Sequence, residues 1–216
     1  MTATLARLSL VQWLSPAFPT GAFACSHGLE QAIASGRIGT AAETASWLRD
    51  ILDVGAGWQD AVLVSLALRT DADPDALDRL DALARALQPS AERLAETLDQ
   101  GTAFAATVAA LTGRALPARA LPVAVGEAAA PLGLPAAEVI AHYLHGFAAN
   151  LVSAAVRFVP LGQTAGQAVL GGLHRPIAAL AARAAGAGED DLGGAALGAD
   201  LAAMRHETMA TRIFRT

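Results

Sequence analysis

One stretch of sixteen residues holds most of the side chains in this protein that could do chemistry. It runs Ser15-Pro-Ala-Phe-Pro-Thr-Gly-Ala-Phe-Ala-Cys-Ser-His-Gly-Leu-Glu30 and includes the only cysteine. Pro16 and Pro19 each remove a backbone donor and favour extended neighbours, while Gly21 permits a turn. Ser26 has the side chain of a helix cap. The stretch therefore predicts a helix, a rigid turn and a second helix.

Three side chains in this stretch have the chemistry of metal ligands. Cys25, His27 and Glu30 would offer a thiolate, an imidazole and a carboxylate, which together suit zinc or nickel. No second cluster has the usual ligand spacing, so Cys25 and His27 are only weak candidates and no firm metal site is predicted. A cysteine protease is not indicated either, because nothing in the spacing places a base and an orienting group around Cys25.

A pair of histidines, His142 and His145, lies three residues apart in a predicted long helix. Residues at this spacing share a helix face, so the pair could face a common metal or a partner. More often one such histidine is packed and the other is solvated. The chain has no phosphate loop, dinucleotide fingerprint or nucleophile elbow.

The C-terminal tail is the second informative stretch. It reads Met204-Arg-His-Glu-Thr-Met-Ala-Thr-Arg-Ile-Phe-Arg215, and Phe214 among these charges is expected to be exposed. A chain end frays unless something holds it, and arginine and aromatic side chains are favoured binding anchors. The tail is therefore predicted either to bind a partner or to be a solvated helix end.

The bulk composition limits the class of protein. The chain has 216 residues, of which 54% are hydrophobic and 16% charged, and its net charge is −5. The acidic balance disfavours a nucleic-acid binder, including a helical DNA-binding regulator. The apolar segments 136–159 and 163–185 carry internal charges, so neither is expected to span a membrane. The lack of a leader-like start over residues 1–10 and the single cysteine predict a cytoplasmic protein.

The apolar spacing throughout is helical. Thr40 with Glu43 has the pattern of a capping box, and Asp73-Pro74 and Ser90 each mark a further helix start. The last helix is expected from about 196 to 212, with one apolar face formed by Leu197, Leu201 and Met204. No segment alternates over strand length. The prediction is an all-α fold: one helical-bundle domain over 1–216 with roughly nine to ten helices.

Three ordered motifs together resemble a known family, the urease accessory proteins called UreF. The motifs are Ser15-Pro-Ala-Phe-Pro-Thr-Gly-Ala-Phe with Gly28-Leu-Glu, Gly162-Gln-Thr with Gly166-Gln, and Met204-Arg-His-Glu-Thr with Arg212-Ile-Phe-Arg. The resemblance covers nearly the whole chain, including Asn150-Leu-Val-Ser-Ala-Ala-Val-Arg157.

The resemblance implies an all-α protein, usually a homodimer, that is not an enzyme. Such proteins bridge the accessory protein UreD (also called UreH) and the GTPase UreG, and the assembly delivers nickel to apo-urease. The implied role is that of a nickel-insertion chaperone that regulates GTP-dependent delivery, with no tightly bound cofactor and nickel at most in transit. It also implies a C-terminal segment, about 195–216, that becomes ordered on UreD.

Site residues carry over by matching motifs. The GTPase side is expected to include Phe23, Ser26, Glu30 and Arg215, and the UreD side Arg205, His206, Glu207, Arg212 and Phe214. Residues of the structural motifs are Pro16, Pro19, Gly21, Gly28, Gln163 and Gln167. The two glutamines, four residues apart, are expected to cap or bond buried backbone at least as readily as they contact a partner.

The sequence departs from the family pattern at two positions. The family often has tyrosine or histidine at the position of Cys25, and often glutamine at the position of His27. A nickel contact at either position is therefore a possibility of this sequence alone. The alternative function, from a different class, is a small metal-dependent enzyme that uses Cys25, His27 and Glu30.

Overall fold

All regular structure in residues 2–216, the part of the chain that this computed structural model describes, is helical. The protein is a single all-α domain, which confirms the predicted fold class. Ten α-helices occupy these residues: α1 (Ala3–Trp13), α2 (Leu29–Ala34), α3 (Ala41–Val54), α4 (Ala56–Leu68), α5 (Pro74–Ala86), α6 (Ala91–Thr112), α7 (Leu121–Ala129), α8 (Ala136–Phe158), α9 (Gly162–Ala184) and α10 (Leu197–His206).

The predicted helix starts are confirmed by their hydrogen bonds. The Thr40 hydroxyl accepts from the backbone N–H of Glu43 at 3.2 Å, and the Ser90 hydroxyl accepts from the third residue of α6 at the same distance. Asp73 caps α5 directly before its first-turn proline. Each cap satisfies a donor that the helix itself leaves unpaired, so local chemistry fixes where α3, α5 and α6 begin.

The core is built around α4, α8 and α9. Residues 61–64 of α4 are completely buried, so this helix is covered on all sides and needs no polar face. The helices α8 and α9 are joined by only three residues and pack along one another, with Leu151 and Leu173 fully buried. Interior helices of this kind account for the high apolar content of the chain.

Two helical stretches are long and apolar enough to cross a membrane by length and composition alone. These are residues 41–68, which span α3 and α4, and residues 136–158, which form α8. Their most apolar windows are 61% and 50% buried inside the protein. Core helices of a globular domain pass the same test, so two such stretches carry little weight for a membrane.

The last helix differs from its sequence prediction. It ends at His206, whereas the pattern predicted an end near Arg212, because the following residues turn back onto the domain. Its predicted apolar face is not buried. The side chains on that face are 68%, 47% and 45% exposed and form a stripe on α10: Leu197, Leu201 and Met204.

Candidate functional site

The tail and the N-terminal turn, the two informative stretches of the sequence, are in direct contact. The backbone N–H and the hydroxyl of Ser26 both donate to the carbonyl oxygen of Thr216, at 2.9 and 2.5 Å. The N–H of Arg215 donates to the carbonyl of Ala24 at 2.7 Å. The tail, residues 207–216, is therefore fixed along the turn, residues 15–28, although some 190 positions separate them.

The Ser26 hydroxyl also helps to start α2. It accepts from the backbone N–H of Glu30 at 3.2 Å, although the helix cap position itself is Gly28. The predicted capping role is thus confirmed for one donor of the first turn. Because the same hydroxyl bonds Thr216, the start of α2 and the end of the tail depend on a single side chain.

Glu30 is the main attachment point for the tail. Its carboxylate accepts from the backbone N–H groups of Ile213 and Phe214, each at 2.9 Å, and lies 3.0 Å from Nε2 of His206. Burial raises the pKa of Glu30, but the hydrogen bonds from His206, Phe214 and Ile213 outweigh it and hold this pKa below its ordinary value. The residue is thus held as a carboxylate by the groups it organises.

His206 joins two carboxylates inside the protein. It is completely buried, and its Nδ1 lies 2.6 Å from Glu92 while its Nε2 faces Glu30. The two ring nitrogens thus each face a carboxylate oxygen, one from α2 and one from α6. Glu92 also pairs with Arg212, so α6 is connected both to His206 at the end of α10 and to Arg212 in the tail.

A second buried carboxylate, Glu96, organises the last residue of the tail. It accepts from the Thr216 hydroxyl at 2.6 Å and from the Gln100 amide at 2.8 Å, and it pairs with Arg93. His27 Nε2 lies 2.7 Å from it. Burial raises the pKa of Glu96, but the Arg93 charge, His27 and Thr216 lower it far more, so the group stays ionised.

His27 occupies a strained position in this cluster. Its φ of 54° lies in the left-handed region, which non-glycine residues rarely adopt. Burial, and then the Arg93 charge, lower the pKa of His27, so the neutral imidazole is favoured. Within the described residues its Nδ1 is buried with no hydrogen-bond partner. Backbone strain and an unpaired polar atom at one residue are typical of functional positions rather than of pure packing.

Gly28 allows the turn to approach α10. A Cβ atom here would lie 2.5 Å from the backbone nitrogen of Ala203, and the φ of 73° is also left-handed. Both facts require glycine, so this motif residue has a structural role.

Cys25, His27 and Glu30 do not combine into a metal site. His27 faces Arg93 and Glu96, Glu30 faces the tail, and no group of three His, Cys, Asp or Glu side chains in residues 2–216 has a metal-holding arrangement. Burial and the nearby Glu96 charge raise the pKa of Cys25 to about 12. The thiol is therefore a poor nucleophile, and the geometry does not favour the metalloenzyme alternative.

Phe214 is buried, which corrects the expectation that it is exposed. It is only 5% exposed, its ring lies 5.0 Å from that of Phe158, and the Arg157 guanidinium lies 4.9 Å above its face. Arg157 also donates to the carbonyl of Phe23 at 2.9 Å. One arginine of α8 therefore holds both the tail and the turn.

The residues assigned to the GTPase side by resemblance fall into two groups. Phe23 is 68% exposed, and the side chain of Arg215 is largely exposed while it pairs with Asp99 at 2.9 Å. Ser26 and Glu30 are buried and contact the chain itself. In this arrangement only the first two can meet another molecule directly.

The residues assigned to the UreD side divide in the same way. Arg205 is exposed, Arg212 is partly exposed, and Glu207 is partly buried and accepts from the backbone N–H of Glu92 at 3.1 Å. His206 and Phe214 lie inside the domain. Their contribution to any partner surface is to hold the tail in place.

A cavity of about 530 Å³ opens beneath the turn. Residues of α8 and of the turn form most of its wall, and its polar lining residues include His27, Glu96 and Gln100. Gln163 and Gln167 line it as well, but both are exposed and neither bonds buried backbone in residues 2–216, contrary to the sequence expectation.

Sequence reasoning missed the acidic residues of α6. Glu92 and Glu96 organise the tail as Glu30 does, yet both lie in a helix where exposed glutamates are common.

Sequence reasoning also missed a buried pair in the core, in which the Tyr143 hydroxyl donates to Asp60 at 2.7 Å. Burial raises the pKa of Asp60 to about 6 despite this hydrogen bond. The one available signal was an acidic residue inside an otherwise apolar helix.

Comparison with known proteins identifies the family. A model of the UreF family matches residues 38–174, which is more than half of the chain. The chain belongs to the UreF family. It is 66% identical over 216 residues, the full length of both chains, to the urease accessory protein UreF of Cereibacter sphaeroides.

Other curated UreF proteins are similar over their full length. The chain is 61% identical to the protein of the same name from Paracoccus denitrificans over 216 residues, which is all of this chain and 99% of the other. For Roseobacter denitrificans the identity is 50% over 214 residues, 99% and 96% of the two chains. The turn and the tail lie outside the range of the family model, but these full-length relatives cover both.

Proposed function

We propose that this UreF-family protein is a non-enzymatic urease maturation factor. It bridges UreD (UreH) and the GTPase UreG, acts as a homodimer in the cytoplasm, and regulates GTP-dependent nickel delivery to apo-urease. The observation that carries the proposal is its full-length similarity to proteins named urease accessory protein UreF. Its UreG, UreD and nickel roles follow from the motif resemblance in the turn and the tail.

Two exposed surfaces support a bridging role. Phe23 on the turn and Arg215 near the end of the tail are both exposed. They lie close together, because the backbone N–H of Arg215 donates to the carbonyl of Ala24, the residue after Phe23. We assign this surface to UreG. An exposed aromatic ring next to an arginine has the composition of a binding hot spot.

The second surface lies on α10 and the start of the tail. The exposed stripe of Leu197, Leu201 and Met204 continues into Arg205 at the end of the helix. Positions i, i+4 and i+7 are the usual anchors of a helix that docks into an apolar groove. We assign this surface to UreD.

The proposal is tested by the nickel content of urease in cells with and without this gene, at matched urease expression. Loss of the gene is expected to leave normal amounts of apo-urease with little nickel, and wild-type complementation to restore it. Urease that loads normally without the gene would refute the maturation role.

The two surfaces are separated by binding titrations. Phe23→Ala should weaken binding to UreG, and Arg205→Ala should weaken binding to UreD, with each variant leaving the other affinity unchanged. Leu111→Ala and Arg49→Ala are matched controls, since both residues are exposed on other helices. If each control weakens binding as much as its test variant, the surfaces are wrongly assigned even if the maturation role stands.

A further inference from the structure

Two exposed histidines meet across the packed pair of helices α8 and α9. The rings of His145 on α8 and His174 on α9 have centroids 5.5 Å apart, with their planes tilted by 43°. Both residues are exposed. The sequence indicated a pair on α8 alone, His142 with His145, but the fold brings His174 to His145 from another helix.

From this juxtaposition we propose that His145 and His174 form a binding site for a first-row divalent cation that prefers imidazole, such as Zn²⁺ or Ni²⁺. Imidazole nitrogen is a suitable ligand for these ions, whereas Ca²⁺ and Mg²⁺ require oxygen ligands. Since no third His, Cys, Asp or Glu within residues 2–216 completes a metal-holding group, water fills the remaining positions. The site is therefore an open one.

The surroundings leave the pair available to an ion. Both rings are open to solvent, so an ion can reach them without any movement of the chain. Gly171 lies one turn before His174 on the same helix face, and apart from its own helix backbone no atom lies within 4 Å of where its Cβ atom would be. This open space accommodates the water ligands that the two-histidine site requires.

His142 provides a matched control on the same helix. Its Nδ1 lies 2.8 Å from the carbonyl of Glu138, one turn earlier, which anchors the ring to its own helix. It is a histidine of similar surroundings that stands outside the proposed pair.

The test is calorimetric titration of the tag-free, full-length protein with ZnCl₂ and with NiCl₂ at pH 7.5. One ion per chain is expected. His145→Gln and His174→Gln should each weaken binding about tenfold or more, because even loss of an outer-shell partner weakens metal sites by about 10–100-fold. His142→Gln should retain the site.

Two results would overturn the proposal: no saturable binding by the wild-type chain, or equal affinity in wild type and both pair variants. Circular dichroism of each variant separates loss of binding from loss of fold. The proposal is independent of the maturation role, since it makes no use of urease, UreG or UreD.

Discussion

Replacing Glu30 with alanine is expected to release the tail while the rest of the domain stays folded. The change removes the acceptor for two backbone N–H groups, those of Ile213 and Phe214, and the partner of buried His206. A buried donor left without a partner costs about 1–3 kcal/mol. The N–H of Phe214 is buried and that of Ile213 is part-buried, so loss of both acceptors together costs about 2 kcal/mol, which the tail can avoid by detaching into water.

The magnitude can be measured by hydrogen exchange. A loss of about 2 kcal/mol corresponds to roughly 30-fold faster exchange, since every 1.4 kcal/mol is a factor of ten. Amides of residues 207–216 should show this acceleration, while those of α8 should keep wild-type protection. Glu30→Gln retains one acceptor oxygen and should fall between wild type and Glu30→Ala.

Glu138→Ala is the matched control. This carboxylate also forms an ion pair, with Arg7 at 2.7 Å, but its partner belongs to α1 and not to the tail. It should leave tail exchange unchanged. Wild-type protection of residues 207–216 in folded Glu30→Ala would refute the idea that Glu30 holds the tail. Equal loss of protection in the tail and in α8 would show instead that Glu30 supports the whole domain.

Three further predictions follow from the buried groups. The pKa of Asp60 is about 6 in the folded protein, against an ordinary value of 3.8. The contribution of Asp60 to stability is therefore fully present below pH 3.8 and is lost as the pH rises through 6. In urea unfolding, the free energy of unfolding of Asp60→Asn should rise relative to wild type by up to about 3 kcal/mol between pH 4 and pH 8. No pH-dependent difference between the two proteins would show that Asp60 is not held neutral. Gly28→Ala should lower the free energy of unfolding by more than the ~1–2 kcal/mol of the left-handed backbone, because its Cβ would meet Ala203; an unchanged melting temperature would contradict this. Cys25, whose pKa is about 12, should resist iodoacetamide at pH 8 until urea unfolds the protein, and rapid labelling of the native protein would contradict its burial.

The sequence allowed the local structure to be predicted well. Thr40, Asp73 and Ser90 begin helices where their cap chemistry predicts, because a cap acts through atoms only two or three residues away. Gly21 adopts left-handed backbone, as its place in the turn indicated. Such effects are legible in a single sequence since they need no knowledge of the fold.

The contacts of the tail could not be predicted in this way. The link between Glu30 and Phe214 spans 184 positions, and no residue pattern at either end names the other. Periodicity also cannot tell which neighbour an apolar face meets. The stripe that begins at Leu197 has core-like spacing, yet it lies on the outside of the domain. Roles toward UreG and UreD therefore rest on the motif resemblance.

The closure of the tail over the turn has a consequence for biosynthesis. Residues 24–30 leave the ribosome early, but their hydrogen-bond partners in residues 206–216 are made much later, since Glu30 and His206 are 176 positions apart. Contacts between distant parts of a chain form slowly, because the intervening loop must first be closed. During translation Glu30 and Ser26 therefore stay without these partners, and the N-terminal turn reaches its final form only after synthesis of Thr216.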